Sequence, residues 1–199
     1  MPDVKSQRLE YVQQTKESIL AAAEALFVSE GFRATSIDAV GAAARFTKGA
    51  VYRHFADKEA LFRAVFERVE TDAVQQVMAR AEACASPSDA ARAALERFLE
   101  LATETRFRRI VLEEGPVALG WRRWRELDHQ YTARLLERLL DGLVDAGEIA
   151  PTSVSLLARL CCALAGEAAI QVAEADDPDQ ARADALATIG AMLAGLRGD

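Results

Sequence analysis

The amino-acid sequence predicts an all-α protein of about nine helices, with a helix-turn-helix head followed by a helical bundle. Proline and glycine are confined to a few places. The segments between them have apolar residues at helical spacing, without the sustained period-two alternation that would indicate strands. The chain has 199 residues and is 51% hydrophobic, which is enough apolar material for a core.

The first predicted helix covers about residues 14–29. Ile19, Ala23 and Phe27 are four residues apart, and with Leu26 they form one apolar face. Gly31 follows and is the expected stop, because glycine is typical of the position just after a helix.

Two short helices are predicted next. Thr35 precedes Asp38 by three residues, which is the spacing of a capping box and predicts a helix N-cap. Ile37, Val40 and Ala44 then mark one buried face. Thr47 is placed to cap a third helix of barely two turns, and Asp57 to cap a long fourth helix. Two short helices joined by a tight turn are the pattern of a helix-turn-helix motif, here at 35–55.

Val51 and Phe55 are predicted to be core residues rather than DNA contacts. They are four residues apart on the apolar face of the third helix, which must pack against helix one.

Turn signals divide the rest of the chain. They occur at Ser86-Pro87, Gly115-Pro116, Gly147 to Pro151 and Asp177-Pro178. The helices between them are predicted at 57–84, 88–104, 105–114, 117–146, 153–175 and 179–197.

The net charge of −7 and pI near 5.0 do not by themselves suggest a nucleic-acid binder. The charge is unevenly distributed, however. Residues 1–68 contain ten Lys and Arg against nine Asp and Glu, which leaves 14 against 22 for the remainder. The charge of the first part of the chain is therefore compatible with DNA binding, and the evidence for DNA binding comes from the helix-turn-helix motif.

The order of these pieces resembles the tetracycline-repressor (TetR) family of bacterial regulators over about residues 14–66. The resemblance lies in the runs Ala25-Leu26-Phe27, Gly31-Phe32, Thr35-Ser36-Ile37, Thr47-Lys48-Gly49-Ala50-Val51-Tyr52-Arg53-His54-Phe55 and Lys58-Glu59-Ala60-Leu61. One residue departs from the pattern. The family usually has glycine in the turn where this chain has Arg45, so a positive φ there should cost on the order of 1 kcal/mol. Arg45 is either a solvated turn residue or a phosphate contact.

The resemblance implies that the third helix enters the major groove of DNA. It implies phosphate or groove contacts from Lys48, Tyr52 and His54. Base edges would be faced by Thr47, Gly49, Ala50 and Arg53, with the small pair letting the helix sit deep in the groove. Thr35, Ser36 and Lys58 would hold the DNA backbone. Thr35 and Thr47 also have an alternative role, because a hydroxyl cap is useful in any helical protein.

Residues 67–199 match no fixed motif and are predicted to form an effector-binding and dimerisation domain behind a DNA-binding domain at 1–66. The middle helices concentrate large aromatic and titratable residues where the family usually keeps its ligand cavity. The candidate pocket residues are Phe107, Trp121, Trp124, His129 and Tyr131. Trp121 and Trp124, three residues apart on one helix face, are equally compatible with ordinary core.

Small residues in 153–175 and apolar residues at helical spacing in 179–197 indicate closely packing helix faces. In the family, the last two helices form a four-helix dimer interface, which suits a palindromic operator. A purely intramolecular core is the alternative.

The residues and the resemblance together imply a cytoplasmic, homodimeric regulator that binds double-stranded palindromic operator DNA. Most simply it is a repressor released by a small, largely apolar effector. No membrane span is expected, since there is no apolar start segment and no uncharged stretch of about 18 apolar residues. No metal or cofactor is expected either. Cys84, Cys161 and Cys162 suit a reducing interior, and inert packing is favoured over a redox sensor. An enzyme is disfavoured by two histidines and the lack of catalytic motifs. A helical interaction or small-molecule-binding module without DNA binding is the other alternative.

Overall fold

The computed structural model describes residues 4–150 and 153–196. In these ranges the chain is mostly helical and contains no strand, which confirms the all-α prediction. Nine helices follow one another: α1 Val4–Ala34, α2 Ile37–Ala43, α3 Lys48–His54, α4 Lys58–Glu82, α5 Pro87–Thr103, α6 at 105–119, α7 Trp121–Asp145, α8 Val154–Glu174 and α9 Pro178–Ala194. Helix α6 is a continuous run of Thr105–Phe107, a π-helical stretch Arg108–Glu113, and Glu114–Leu119.

Helix α1 begins well before residue 14, where the sequence placed its start. Its backbone leaves helical geometry at Gly31, with φ 82° and ψ 167°, and then completes a last turn to Ala34. The predicted break at Gly31 is therefore confirmed, as a kink.

The predicted break at Gly115-Pro116 is wrong. Pro116 lies just after the π-helical stretch, and the helix continues through it to Leu119. The interruption comes instead at Gly120, whose φ of 75° suits glycine. The last helix ends at Ala194 rather than near 197. Pro151, part of a predicted turn signal, and Arg197, the predicted end of the last helix, lie outside the described residues.

One hydrophobic core crosses the predicted domain boundary at residues 66–67. It joins the predicted DNA-binding head to the part of the chain after residue 66, which we call the body. Three of its aromatic rings, Phe27, Phe32 and Phe62, pack edge-on or tilted at centroid distances of 5.1–6.0 Å. Val51 and Phe55 are buried in it, as predicted. The same cluster continues through α4 to Val77 and reaches Phe107 and Trp124. Head and body are thus packed against each other as one hydrophobic unit.

Among the described helices, α8 alone has the length and apolar composition that crossing a membrane requires. It contains Arg159 and Glu167, and a single helix of this kind does not indicate a membrane protein. Much of its apolar surface is exposed, because Leu156, Leu160 and Leu164 are 41–54% accessible.

Candidate DNA-binding face and effector cavity

Helices α2 and α3 form the predicted helix-turn-helix, and their close approach depends on Gly41. The amide of Phe46 donates to the Gly41 carbonyl at 2.8 Å. A Cβ at residue 41 would lie 3.0 Å from the Phe46 carbonyl oxygen, so a larger residue would push the turn away. Arg45, in this turn, has φ 62°. The structure therefore places an arginine in the left-handed region, where glycine is favoured.

The helix caps agree with the sequence at two positions and correct it at a third. Thr47 Oγ1 accepts from the Ala50 amide at 3.2 Å, and Asp57 Oδ1 from the Ala60 amide at 2.7 Å. The cap of α2 is Ser36, whose Oγ accepts from the Ala39 amide at 3.1 Å. Thr35 is 1% exposed and its hydroxyl donates to the Gly31 carbonyl at 2.8 Å. Thr35 is thus neither the cap nor available to a phosphate, because its hydroxyl is used to close the kink in α1.

The outer face of α3 consists of residues that the sequence assigned to DNA. Lys48, Gly49, Tyr52 and Arg53 are exposed, and Tyr52 keeps 46% of its surface accessible although it is a large aromatic residue. Ala50 and His54 are half-buried at the edges of this face, and the exposed caps Ser36 and Thr47 lie at the helix starts. We call this surface the α3 face.

Lys48 has an acidic neighbour on this surface. Its Nζ donates to Asp38 Oδ2 at 2.7 Å, and both side chains are more than half exposed. The hydrogen bond and the carboxylate charge raise the pKa of Lys48. The ammonium is therefore fully charged, and a DNA phosphate would have to compete with Asp38 for it.

Lys58 is hydrogen-bonded within the protein, which argues against its predicted contact with the DNA backbone. Its Nζ donates to the carbonyls of Phe32 at 2.8 Å and Thr35 at 3.0 Å, and lies 3.4 Å from that of Arg33. It also lies 4.4 Å from the centroid of the Phe32 ring. Lys58 thus holds the C-terminal end of α1, where free carbonyls attract a cation.

The body contains a cavity of about 470 Å³ between α4, α5, α7, α8 and α9. Its walls are mainly apolar and include Leu95, Phe98, Leu135, Leu139 and Leu140. This volume lies within the range of small-molecule sites.

None of the five aromatic and histidine residues predicted for the pocket is among those that line this cavity. Phe107 is buried in the core, and Trp124 is buried with its Nε1 donating to the Val111 carbonyl at 2.8 Å. Trp121 is 57% exposed and packs at a tilted angle against Trp124, with ring centroids 4.7 Å apart. His129 and Tyr131 are half-buried on α7. These five side chains lie in the core or nearer the surface, and Phe98 is the one aromatic residue among the described residues that line the cavity.

Sequence reasoning missed a polar group at the cavity wall. Glu70 of α4 lines the cavity, is 1% exposed, and its Oε1 has no hydrogen-bond partner. Asp128 of α7 also lines it, with Cys162 Sγ 3.7 Å from its Oδ2 and Thr132 Oγ1 3.2 Å from that sulfur. A signal was available, since Glu70 interrupts an apolar stripe formed by Phe66, Val69, Ala73 and Val77 on α4.

The electrostatics at this wall favour neutral forms. Burial, with the charge of Asp128 added, raises the pKa of Glu70 well above its ordinary value. Burial also raises the pKa of Asp128, although Cys162 and the charges of His129 and Arg125 act against it. Burial and the nearby carboxylates raise the pKa of Cys162 to about 11. The Cys162 thiol is therefore protonated near neutral pH, which argues against a reactive redox centre.

Helix α4 connects the cavity to the head. Glu70, Ala73, Val74 and Val77 of its cavity-facing side lie twelve to nineteen residues beyond Lys58. At 1.5 Å per residue, Glu70 is about 18 Å along the helix from Lys58.

Helix α6 makes a second, polar connection to α1. Arg106 pairs with Glu24 at 2.6 and 3.1 Å, and Arg109 Nε donates to the Val28 carbonyl at 3.2 Å. Glu114 Oε2 accepts from the Phe32 amide at 2.9 Å, beside the Gly31 kink. Phe98 of the cavity wall packs edge-on against Phe107 of α6, with ring centroids 6.0 Å apart.

The comparisons with known proteins cover both parts of the chain. Residues 19–65 match the model of bacterial regulatory proteins of the tetR family, and residues 88–196 match that of the tetracyclin repressor-like C-terminal domain. The Transposon Tn10 TetC protein of Escherichia coli is 22% identical over 78% of this chain and 79% of its own length.

Solved structures agree in fold. A TetR-family transcriptional regulator from Pectobacterium atrosepticum is 29% identical, with a TM-score of 0.83 over 96% of this chain and 97% of its own. AibR, solved in complex with isovaleryl coenzyme A and operator DNA, is 22% identical, with a TM-score of 0.61 over 89% of this chain and 97% of its own. With its helix-turn-helix, its exposed α3 face and family models matching both parts, this chain belongs to the tetR family of DNA-binding transcriptional regulators.

Proposed function

We propose that this chain is a homodimeric repressor that loses affinity for its operator when a small, largely apolar effector fills the cavity. Residues 1–66 bind DNA in this proposal, and residues 67–199 bind the effector and dimerise, in the cytoplasm where the DNA lies. The main observation in support of this proposal is the exposed α3 face. Its polar and small residues are accessible, whereas Val51 of the same helix is buried in the core.

The α3 face divides its contacts by chemistry. Lys48, Tyr52 and His54, with the caps Ser36 and Thr47, carry the donors that suit phosphates. Thr47 is also placed to face base edges. Gly49 and Ala50 have no bulk to keep α3 out of the groove, and Arg53 can pair with guanine.

Dimerisation through α8 and α9 is supported by their exposed apolar side chains. Leu156, Leu160 and Leu164 form one stripe along α8, and Met192 of α9 is 54% exposed. A second copy related by a two-fold axis would cover the same residues on both chains and form a four-helix interface. Such a dimer sets the two α3 helices for successive major grooves, about 34–36 Å apart.

Release of DNA requires that the effector favour a conformation in which this spacing is lost. Helix α4 is the direct connection, because it lines the cavity and begins in the head. A 100-fold loss of operator affinity needs a coupling free energy of about 2.7 kcal/mol. The relative AibR, solved with both a small molecule and operator DNA, supports the idea that one such fold serves both ligands.

The DNA-binding part is tested by fluorescence anisotropy on duplexes selected by the protein from a random pool, at several salt concentrations. We expect saturable, competitor-resistant binding that a Lys48→Ala, Tyr52→Ala double variant weakens more than tenfold. Arg122→Ala, at a surface position of α7, is the matched control and should bind as the wild type does. Equal binding by double variant and wild type would refute the assignment of the α3 face, and the absence of any selected duplex would favour an interaction module without DNA binding.

The dimer interface is tested by sedimentation of Leu160→Glu. We expect a monomer, because a buried charge at the centre of the interface is costly. Leu9→Glu, at an exposed position of α1, should remain dimeric. A dimeric Leu160→Glu variant would contradict the proposed interface.

A further inference from the structure

We propose that the effector is a hydrophobic amine, with an apolar body in the aliphatic part of the cavity and an ammonium group at the Glu70 and Asp128 carboxylates. This inference rests on the proposed function and names the chemistry of its effector.

The first argument is the unsatisfied oxygen of Glu70. Among the described residues, Glu70 Oε1 is the one buried side-chain oxygen or nitrogen without a hydrogen-bond partner. Such an atom costs free energy unless a donor reaches it. The cavity is the open space beside Glu70, so a donor on a bound molecule can supply the missing hydrogen bond.

The second argument is the imbalance of charge around the cavity. Three of its described lining residues are acids, namely Glu70, Asp128 and Glu148, and the one basic lining residue is Arg92. Arg92 is 66% exposed and pairs with Glu96 at 3.5 Å, so its charge is turned outward. A carboxylate on the effector would be repelled by the wall, whereas a cation would be attracted.

The third argument concerns the empty cavity. Burial and the charge of Asp128 raise the pKa of Glu70, so the empty cavity favours a protonated Glu70. An arriving ammonium group would replace that proton and donate to the oxygen that lacks a partner. The rest of the wall is aliphatic over most of its extent, so it suits the carbon skeleton that carries the amine.

The position of Glu70 also suits the coupling to DNA. It lies on the side of α4 that continues through Ala73, Val74 and Val77 along the cavity. An ammonium group bound there acts directly on the helix that leads to the head.

The test uses three compounds that carry a phenyl ring at the end of a four-carbon chain: 4-phenylbutylamine, 4-phenylbutan-1-ol and 4-phenylbutyrate. Their binding to the full-length protein at neutral pH is measured by isothermal titration calorimetry. We expect the amine to bind at least tenfold more tightly than the alcohol, and the carboxylate most weakly. Glu70→Gln should bring amine and alcohol within about threefold of each other, and Asp128→Asn should reduce the preference. Glu67→Gln makes the same change one turn away on α4, outside the cavity lining, and should retain the full preference.

The proposal is overturned if the alcohol or the carboxylate binds as tightly as the amine, if the preference survives in Glu70→Gln, or if the amine fails to bind at millimolar concentration. Operator release, followed by anisotropy with the same compounds, separates this inference from the proposed function. A Glu70-dependent preference for the amine without release supports the amine site and refutes induction through the cavity. Equal release by amine and alcohol supports induction and refutes the amine site.

Discussion

Replacing Lys58 by methionine should destabilise the protein and leave its electrostatic interaction with DNA unchanged. Lys58 Nζ donates to two carbonyls of the α1 end at 2.8 and 3.0 Å and lies over the Phe32 ring. A hydrogen bond to a charged group contributes about 1.5–3 kcal/mol when well shielded, and an exposed cation–π contact about 0.5–1 kcal/mol. Because Lys58 is half-buried, we expect the free energy of unfolding to fall by about 2 kcal/mol in total.

Lys48→Met is the matched comparison. Its ion pair with Asp38 is exposed, so its loss should change the free energy of unfolding by less than about 0.5 kcal/mol. Its effect should appear in DNA binding. The slope of log affinity against log salt concentration changes by about 0.9 for each phosphate contact, which gives about 1.8 for the two symmetric contacts of a dimer.

The assays are urea denaturation for stability and anisotropy titrations at four salt concentrations for the slope. We expect Lys58→Met to lower stability with an unchanged slope, and Lys48→Met to lower the slope with unchanged stability. If Lys58→Met is as stable as wild type and its slope falls by about 1.8, Lys58 binds phosphate and our interpretation of its contacts is wrong.

Three further changes test other parts of the molecule. Arg45→Gly should raise the free energy of unfolding by about 0.5–1 kcal/mol, because glycine removes the cost of the positive φ at this turn. The greater entropy of glycine in the unfolded chain offsets part of this gain. No gain over Arg45→Ala in urea denaturation would contradict the prediction. Asp38→Asn should increase operator affinity severalfold at low salt, because it frees Lys48 and removes a negative charge beside the DNA. Unchanged or weaker binding in anisotropy titrations would argue against contact between the α3 face and DNA. Glu70→Gln should stabilise the protein at neutral pH and not near pH 4. Folding raises the pKa of the Glu70 carboxyl above its ordinary value of 4.5. The wild type therefore loses stability as pH rises from about 4.5 towards the folded-state pKa. Each tenfold change in proton affinity corresponds to about 1.4 kcal/mol, and equal stability of the two proteins across pH 4–8 in denaturant titrations would refute it.

The sequence predicted the head well because its signals are local. The caps at Thr47 and Asp57, the glycine kink at 31 and the apolar pair Val51 and Phe55 each depend on residues within one or two helical turns. Such short-range features depend little on the rest of the fold. The cap of α2 was off by one residue, because Thr35 and Ser36 both carry hydroxyls and only packing decides which of them is buried.

The cavity was not predictable in the same way. It is lined by residues from five helices, and its existence depends on where side chains fail to meet. Aromatic residues such as Phe107 and Trp124 drew attention by their size, yet that size makes them the residues most strongly drawn into the core. The more useful signal was Glu70, an acid on the apolar stripe of α4, since a buried ionisable group is seldom kept without a function.

The unbroken core between head and body bears on any attempt to recombine this protein with its relatives. A chimaera joined at residue 66 would cut between Phe66 and Val69, two residues of the same packed cluster, and would leave each half with an apolar surface shaped for a missing neighbour. Exchanging operator specificity is better done by grafting only the outward residues of α3, since these touch solvent rather than the cluster. Evolution of new specificities is easy on that face and constrained immediately beneath it.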